Sequence, residues 1–129
     1  MTTTTGVKQS DWTAFFDAFS RRHQGWLVKL SVLDPKLGAQ VETLEAPLQG
    51  VVADARGRGI AIQLGKQPDD VEHAVRNPRR VWVELGDDGS EAAIEIESGD
   101  GTKAILEFRG AVLPETADGL SPKKSAAQK

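Results

Sequence analysis

The chain has 129 residues, the size of one domain with a single core, and its formal net charge of -3 provides no overall positive field to attract nucleic acid or anionic lipid. It contains no cysteine, which excludes disulfides, thiolate catalysis and cysteine-ligated metal sites. No apolar run approaches the roughly 20 residues of a membrane span, and the chain does not start with a signal-peptide pattern. We therefore expect a cytoplasmic protein without membrane contact.

The first predicted element is an amphipathic helix that follows a threonine-rich, flexible segment at residues 1–9 and runs from Ser10 to Gly25. Its aromatic residues recur at the spacing i, i+3, i+4 and i+7 and are Trp12, Phe15, Phe16 and Phe19. Ser10 is suited to cap the start of the helix, and Gly25 is suited to end it. The aromatic side of this helix must be covered by the rest of the fold.

Three strands are predicted next, at residues 26–33, 48–54 and 60–64, from their alternating apolar residues. The last two flank the turn Arg56-Gly57-Arg58-Gly59, and a left-handed Gly57 would match Val52 to Ile60. An alternative register, in which Val51 faces the core instead, stays open. The stretches between strands, residues 34–47 and 65–79, are interpreted as irregular loops.

Residues 80–108 contain the clearest strand pattern. Asp88-Gly89 predicts a two-residue type I′ turn, and Gly99-Asp100-Gly101 predicts a three-residue turn with Gly101 left-handed. The first turn predicts the apolar cross-strand pairs Leu85–Ala92, Val83–Ile94 and Val81–Ile96. The second turn predicts Ile96–Ala104, Ile94–Leu106 and Ala92–Phe108, which agrees with the first on one buried face. A three-stranded antiparallel meander with one buried face is therefore expected.

The opposite face of this meander is predicted to carry three cross-strand rows. These rows are Arg80–Glu97–Lys103, Trp82–Glu95–Ile105 and Glu84–Ala93–Glu107. Trp82 and Ile105 are large apolar residues that flank Glu95 on a face that otherwise carries mainly charged residues. Their position favours a binding surface for a protein partner or a second copy. The alternative is cover by the same chain, through Leu37, Val41 and Leu44 of the 34–47 segment.

Together these elements predict a mainly β fold of the α+β type. An N-terminal amphipathic helix is expected to pack on a small six-stranded antiparallel meander or barrel. The helix and barrel would form one domain over residues 10–113, followed by a mostly disordered tail at 114–129, where little can be buried.

Several segments resemble a bacterial family catalogued only as a domain of unknown function. They are Trp12–Asp17, Leu48–Gly50, Asp100–Thr102, Leu106–Arg109 and Leu113–Glu115. The resemblance implies a small, stand-alone cytoplasmic protein and implies no activity, cofactor or catalytic residue. A weaker resemblance to Sm-like folds rests on the helix preceding a small barrel and on the strand pair Gly50–Asp54 and Ile60–Ile62, and it implies a fold only.

Arginines provide a second candidate site. Arg56 and Arg58 flank a glycine turn, and Arg76, Arg79 and Arg80 surround Asn77-Pro78. Guanidinium groups and free backbone amides are typical of phosphate and carboxylate sites. An anionic ligand or nucleic acid is therefore an alternative partner, although the net charge disfavours nucleic acid.

The two histidines are the natural candidates for a general base at neutral pH. His73 follows Asp69, Asp70 and Glu72, so a third hypothesis is a His-dependent enzyme, or a metal bound by one imidazole and several carboxylates. The spacing matches no known ligand motif, and a solvated short helix accounts for the same residues. His23 is interpreted as a packed residue in contact with Trp26. We predict no catalytic residue, no metal and no cofactor.

Overall fold

A computed structural model describes residues 3–54, 56–66 and 70–110 of the chain. A short 3-10 turn at Gln9–Asp11 leads into the single helix α1 at Trp12–His23. The strands are β1 (Thr3–Val7), β2 (Leu27–Asp34), β3 (Ala39–Ala53), β4 (Gly59–Leu64), β5 (Val71–Arg76), β6 (Pro78–Leu85), β7 (Glu91–Ser98) and β8 (Lys103–Gly110). The predicted tail at 114–129 lies outside the described residues.

The described strands form one antiparallel sheet in the order β1-β6-β7-β8-β2-β3-β4-β5. This confirms a mainly β fold with one N-terminal helix, but the sheet has eight strands rather than six. Its order is open, with β1 and β5 at the two ends, and closure into a barrel is not confirmed.

Three segments that the sequence places in loops or flexible regions are strands. Residues 3–7, predicted to be flexible, pair with β6 as β1. β3 begins at Ala39 inside the predicted 34–47 loop, and β5 lies inside the predicted 65–79 loop. These segments have little apolar periodicity of their own, and they are strands because a neighbouring strand satisfies their backbone groups.

Asn77 forms the corner between β5 and β6, with a left-handed φ of 51° that asparagine tolerates better than most residues. Its N–H donates to the Arg58 carbonyl at 3.2 Å, and its carbonyl accepts from the Gly99 N–H at 2.9 Å. Before this corner the chain pairs with β4, as β5, and after it the chain pairs with β7, starting at Pro78 and Ser98. One residue thus joins β5, at one end of the sheet order, to β6 near the other end.

Four of the six apolar pairs predicted for the meander are confirmed, whereas Leu85 lies opposite Glu91 rather than Ala92. Val81 lies opposite Ile96, and Val83 lies opposite Ile94, while Ile94 and Ile96 lie opposite Leu106 and Ala104 on the other side. The second turn is confirmed as well, because Gly101 has a φ of 90° and Ser98 pairs with Thr102 by a hydrogen bond of 2.9 Å.

The first turn differs from its prediction by one residue. Asp87, Asp88 and Gly89 form a three-residue loop in which only Gly89 is left-handed, closed by a 2.8 Å bond from Gly86 N–H to Ser90 carbonyl. A β-bulge between Glu84 and Leu85 absorbs the shift, so the register beyond it is as predicted. Hydrogen bonds from the Ser90 hydroxyl and N–H hold the pKa of the Asp88 carboxyl below its ordinary value.

The predicted register of β3 against β4 is wrong, and the alternative left open is correct. Val51 lies opposite Ile62, and Val52 lies opposite Ala61. Val51 is 2% exposed, whereas Val52 is 57% exposed. The Ser20 hydroxyl contributes to this choice, because it donates to the Val51 carbonyl at 3.0 Å and accepts from the Val51 N–H at 2.8 Å.

The core lies between the inner side of the sheet and α1. The helix buries the predicted aromatic side, with Phe16 and Phe19 fully buried and Phe15 packed at the margin. His23 is 6% exposed, and its ring lies edge-on to Trp26 with the ring centroids 4.8 Å apart. Its Nδ1 is 2.9 Å from the Phe19 carbonyl, an acceptor only, so this nitrogen carries the proton. The packing role predicted for His23 is confirmed.

Candidate functional site

The outer face is the side of β6, β7 and β8 that points away from the core. Its members are Arg80, Trp82, Glu84, Ala93, Glu95, Glu97, Lys103, Ile105 and Glu107. All three predicted rows are present, because Trp82 lies opposite Glu95 and Glu95 lies opposite Ile105, with the charged rows on either side. Trp82 and Val83 therefore point to opposite sides of the sheet.

Trp82 is half-buried because β1 lies beside it. Gly6 is paired with Trp82, and a Cβ built on Gly6 would lie 3.7 Å from Trp82 Cδ1. That distance is an ordinary van der Waals contact, so the indole lies directly beside β1. This contact was not predicted, because residues 1–9 were expected to be flexible.

A hollow of about 280 Å³ lies beside Trp82 on the outer face. It is lined by Thr4, Trp82, Glu84, Ala93, Glu95 and Ile105. Ala93 is only 7% exposed, although it belongs to the outer face. A small residue between larger ones therefore gives this face a local depression with an apolar base and carboxylates at its margin.

The charged side chains of the outer face pair differently from the prediction. Lys103 Nζ is 3.7 Å from Glu95 Oε2, diagonally across the strands, rather than bound to Glu97 in its own row. Among the described residues, Arg80 and Glu97 have no oppositely charged group within 4.0 Å, and neither do Glu84 and Glu107. Apart from the Lys103–Glu95 pair, the charged groups of the outer face are therefore not neutralised by one another.

In the segment 34–47, neither Leu37 nor Leu44 covers the outer face. Leu44 lies opposite Leu30 and packs at the margin of the core, and Leu37 is 68% exposed at the β2–β3 turn. The side chain of Val41 lies outside the described residues.

Backbone pairing places four arginines of the second candidate site in segments that adjoin the Asn77 corner. Arg76 lies opposite Gly59, and the Asn77 N–H binds the Arg58 carbonyl, which brings the β3–β4 loop against the end of β5. Arg56 belongs to the same loop, and Arg79 follows the corner. We call Arg56, Arg58, Arg76 and Arg79 the basic corner, and all four are exposed. In the described part of the chain no carboxylate lies within 4.0 Å of their guanidinium groups, although the Asp54 carboxylate accepts a hydrogen bond from the Arg58 backbone N–H at 3.3 Å.

The groups proposed for a His-dependent enzyme are not brought together. His73 lies opposite Ile62 on the core side of β5, whereas Glu72 points to the other side, where its carboxylate accepts a hydrogen bond from Gln63 at 3.3 Å. Asp70 is exposed, and Asp69 lies outside the described residues. Over residues 3–54, 56–66 and 70–110, no three His, Asp or Glu side chains are grouped to hold a metal ion.

A groove of about 550 Å³ between α1 and β3 was not predicted. Its lining mixes small polar and apolar residues, and includes Thr13, Ser20, Gly50 and Val52. Asp17, its one carboxylate, pairs with Arg21 on the same helix. The only sequence signal for this groove is the run of small residues along one side of the helix.

Residues 3–116 match a family described as "Family of unknown function (DUF5335)". The chain belongs to DUF5335. The match spans the helix and all eight strands of this DUF5335 chain, and it confirms the resemblance to a family of unknown function.

One curated relative has a similar length. An uncharacterised protein of Aquifex aeolicus (strain VF5) is 32% identical over 113 residues, which cover 87% of the DUF5335 chain and 98% of that protein. No solved structure matches the chain. In the described residues, the one helix is too short and too polar to cross a membrane.

Proposed function

We propose that this DUF5335 protein is a non-enzymatic cytoplasmic module that binds protein through its outer face. The observation that supports the proposal is the position of Trp82 and Ile105, which flank a hollow on an exposed sheet surface. In the segment of this chain that could have covered that surface, Leu44 packs at the margin of the core and Leu37 is exposed at the β2–β3 turn.

The composition of the outer face is consistent with a protein interface. Tryptophan and arginine dominate the binding energy of many interfaces, and Trp82 and Arg80 are two residues apart on the same side of β6. A half-buried indole that is already held against Gly6 also loses little side-chain freedom when a partner covers it.

Replacing Trp82 with Ala and Ile105 with Ser should weaken association at least about 30-fold, the effect of losing a hot spot of about 2 kcal/mol. Light scattering on the purified protein measures self-association, and affinity purification with wild-type and variant baits from the native cell measures a different partner. Val52→Ser is the matched control, because Val52 is 57% exposed on β3, outside the outer face.

The same variant must still unfold cooperatively, since both side chains lie outside the core. A broad, low-temperature unfolding transition would mean that the two residues are internal. Unchanged association in a cooperatively folded variant would equally exclude the outer face as the interface.

A second candidate function, binding of an anionic ligand, is supported by the basic corner. Four exposed guanidiniums without carboxylate partners lie at one end of the sheet, which favours contact with phosphates despite the negative net charge. The His-dependent enzyme has no comparable support, because Glu72 and His73 lie on opposite sides of β5.

Single-stranded RNA provides the test of this second candidate. Four phosphate contacts should weaken binding about 50-fold between 50 and 200 mM salt, and Arg58→Gln with Arg76→Gln should reduce both affinity and salt dependence. Arg21→Gln is the control, since Arg21 already pairs with Asp17 on the helix. Absence of binding at 50 mM salt would remove the nucleic-acid form of this candidate.

A further inference from the structure

We propose that the partner of the outer face is a second copy of this chain, bound face to face about a twofold axis that runs along the Trp82–Glu95–Ile105 row. This inference rests on the proposed function, because it requires the outer face to be an interface. It adds the identity of the partner and the symmetry of the complex.

The charges of the outer face are arranged with opposite signs on the two sides of that row. On β6, Arg80 lies on one side of Trp82 and Glu84 lies on the other. On β8, Lys103 lies on the same side of the row as Arg80, and Glu107 lies on the same side as Glu84. On β7, between them, Glu97 is matched on the other side by the small residue Ala93.

A twofold axis along the Trp82–Glu95–Ile105 row places each strand over the same strand of the second copy. It brings the row on one side of the axis over the row from the other side. Arg80 then faces Glu84 of the second copy, and Lys103 faces Glu107 of the second copy. Glu97 faces the depression above Ala93 of the second copy. Arg80, Glu84, Lys103 and Glu107 therefore each meet an opposite charge, and Glu97 is the one charged residue of the outer rows that does not.

The other face-to-face twofold axis, parallel to the strands, exchanges β6 with β8. It would place Arg80 over Lys103 and Glu84 over Glu107, so that like charges meet throughout. Juxtaposed like charges cost several kcal/mol at an interface. The charge pattern of one copy thus favours the axis along the Trp82–Glu95–Ile105 row over the axis parallel to the strands.

The centre of the proposed interface is apolar at both ends and acidic in the middle. The axis brings Trp82 onto its own counterpart and Ile105 onto its own counterpart, where two indoles and two isoleucines lose contact with water. Glu95 also meets its counterpart, but each Glu95 carboxylate already has a Lys103 ammonium at 3.7 Å in its own copy. Lys103 therefore offsets the repulsion at the centre.

A stable dimer needs a contact that extends beyond the three strands of the outer face. With strands about 4.8 Å apart and rows about 7 Å apart, three rows cover roughly 300 Å² per copy on β6, β7 and β8, and roughly 600 Å² once β1, β2 and β3 on either side are included. Specific interfaces begin at about 600 Å² per partner. Two stacked sheets also lie about 10 Å apart, which leaves room for the side chains of both copies to interleave.

Charge reversal tests the proposed symmetry. Arg80→Glu alone and Glu84→Lys alone should each weaken self-association at least about tenfold in 50 mM salt, because every dimer contains the altered contact twice. An equimolar mixture of the two variants should associate like the wild type, since the introduced glutamate of one chain then faces the introduced lysine of the other, and the unaltered Glu84 faces the unaltered Arg80. Sedimentation equilibrium measures the single variants, and native mass spectrometry of mass-labelled chains measures the mixture.

Arg58→Glu is the control, because it introduces the same charge change at an exposed site outside the outer face. A wild-type dimer that the single variants do not weaken, or a mixture that does not recover, would overturn the twofold arrangement. A wild-type monomer would overturn the second copy as partner, whereas the proposed function would still stand if Trp82→Ala with Ile105→Ser released a different bound protein. Unchanged association in that double variant is the separate result that excludes the proposed function.

Discussion

Replacement of Trp12 with Ala is expected to lower the free energy of unfolding by about 3–5 kcal/mol, the usual cost of truncating a buried aromatic residue. Trp12 is 2% exposed at the first position of α1, so its removal leaves a cavity between helix and sheet. Its Nε1 also donates to the Val7 carbonyl at 2.9 Å, which ties β1 to the helix. The change should therefore release the first strand as well as weaken the core.

Urea denaturation followed by tryptophan-independent circular dichroism measures this effect. Trp12→Phe separates the two contributions, because it retains most of the apolar volume and loses the hydrogen bond, which contributes about 1 kcal/mol. Thr13→Ala is the surface control, since Thr13 is exposed on the same helix. An alanine variant within about 0.5 kcal/mol of the wild type would contradict the position of Trp12 in the core.

A second large effect is expected at Ile94, where Ile94→Ala should cost about 2–5 kcal/mol. Ile94 is 1% exposed and lies between Val83 and Leu106 on the core side of the meander. Glu95→Ala, one residue later, should change the stability by no more than about 0.5 kcal/mol, because Glu95 is on the outer face. Both are measured at a protein concentration below the onset of self-association.

The two variants test whether successive side chains of β7 point alternately to the core and to the outer face. Equal costs at the two positions would mean that β7 is covered on both sides or that its register is shifted by one residue. In either case Trp82 would not be available to a partner in the orientation described.

The helix and the β6–β8 meander were predicted from local patterns. Trp12, Phe16 and Phe19 recur at the helical period, and Gly25 and Gly101 have the left-handed φ values of 87° and 90° that their predicted roles require. In the first turn the loop length was wrong by one residue, but the buried partners of Ile94 were still correct. Burial of one set of side chains outweighs the preference of a single turn, and a bulge absorbs the difference.

One of the missed strands has its partner far along the chain. Thr3–Val7 is threonine-rich and has a weak pattern, and it is a strand because β6 pairs with it. Val51 and Val52 are equally apolar, so their sequence does not distinguish the buried residue from the exposed one. The Ser20 hydroxyl of the helix and the pairing with β4 make that distinction, and both are tertiary contacts.

In the candidate sites, too, the features set by local patterns were predicted and those set by long-range pairing were not. The rows that contain Trp82, Glu95 and Ile105 follow from strand alternation, and they were predicted. The support of Trp82 by Gly6, the diagonal Lys103–Glu95 pair and the convergence of Arg58 with Arg76 were not, since each depends on where long-range pairings bring the chain.

The sequence by itself determined the amphipathic helix, the two faces of the meander and the residues on each face, because side-chain periodicity repeats every two or three to four residues and is local. The tertiary structure decided the number of strands, the order of the sheet and the gathering of charged side chains at one corner. Those features depend on hydrogen bonds and packing between segments far apart in the chain, for which a local pattern carries no signal.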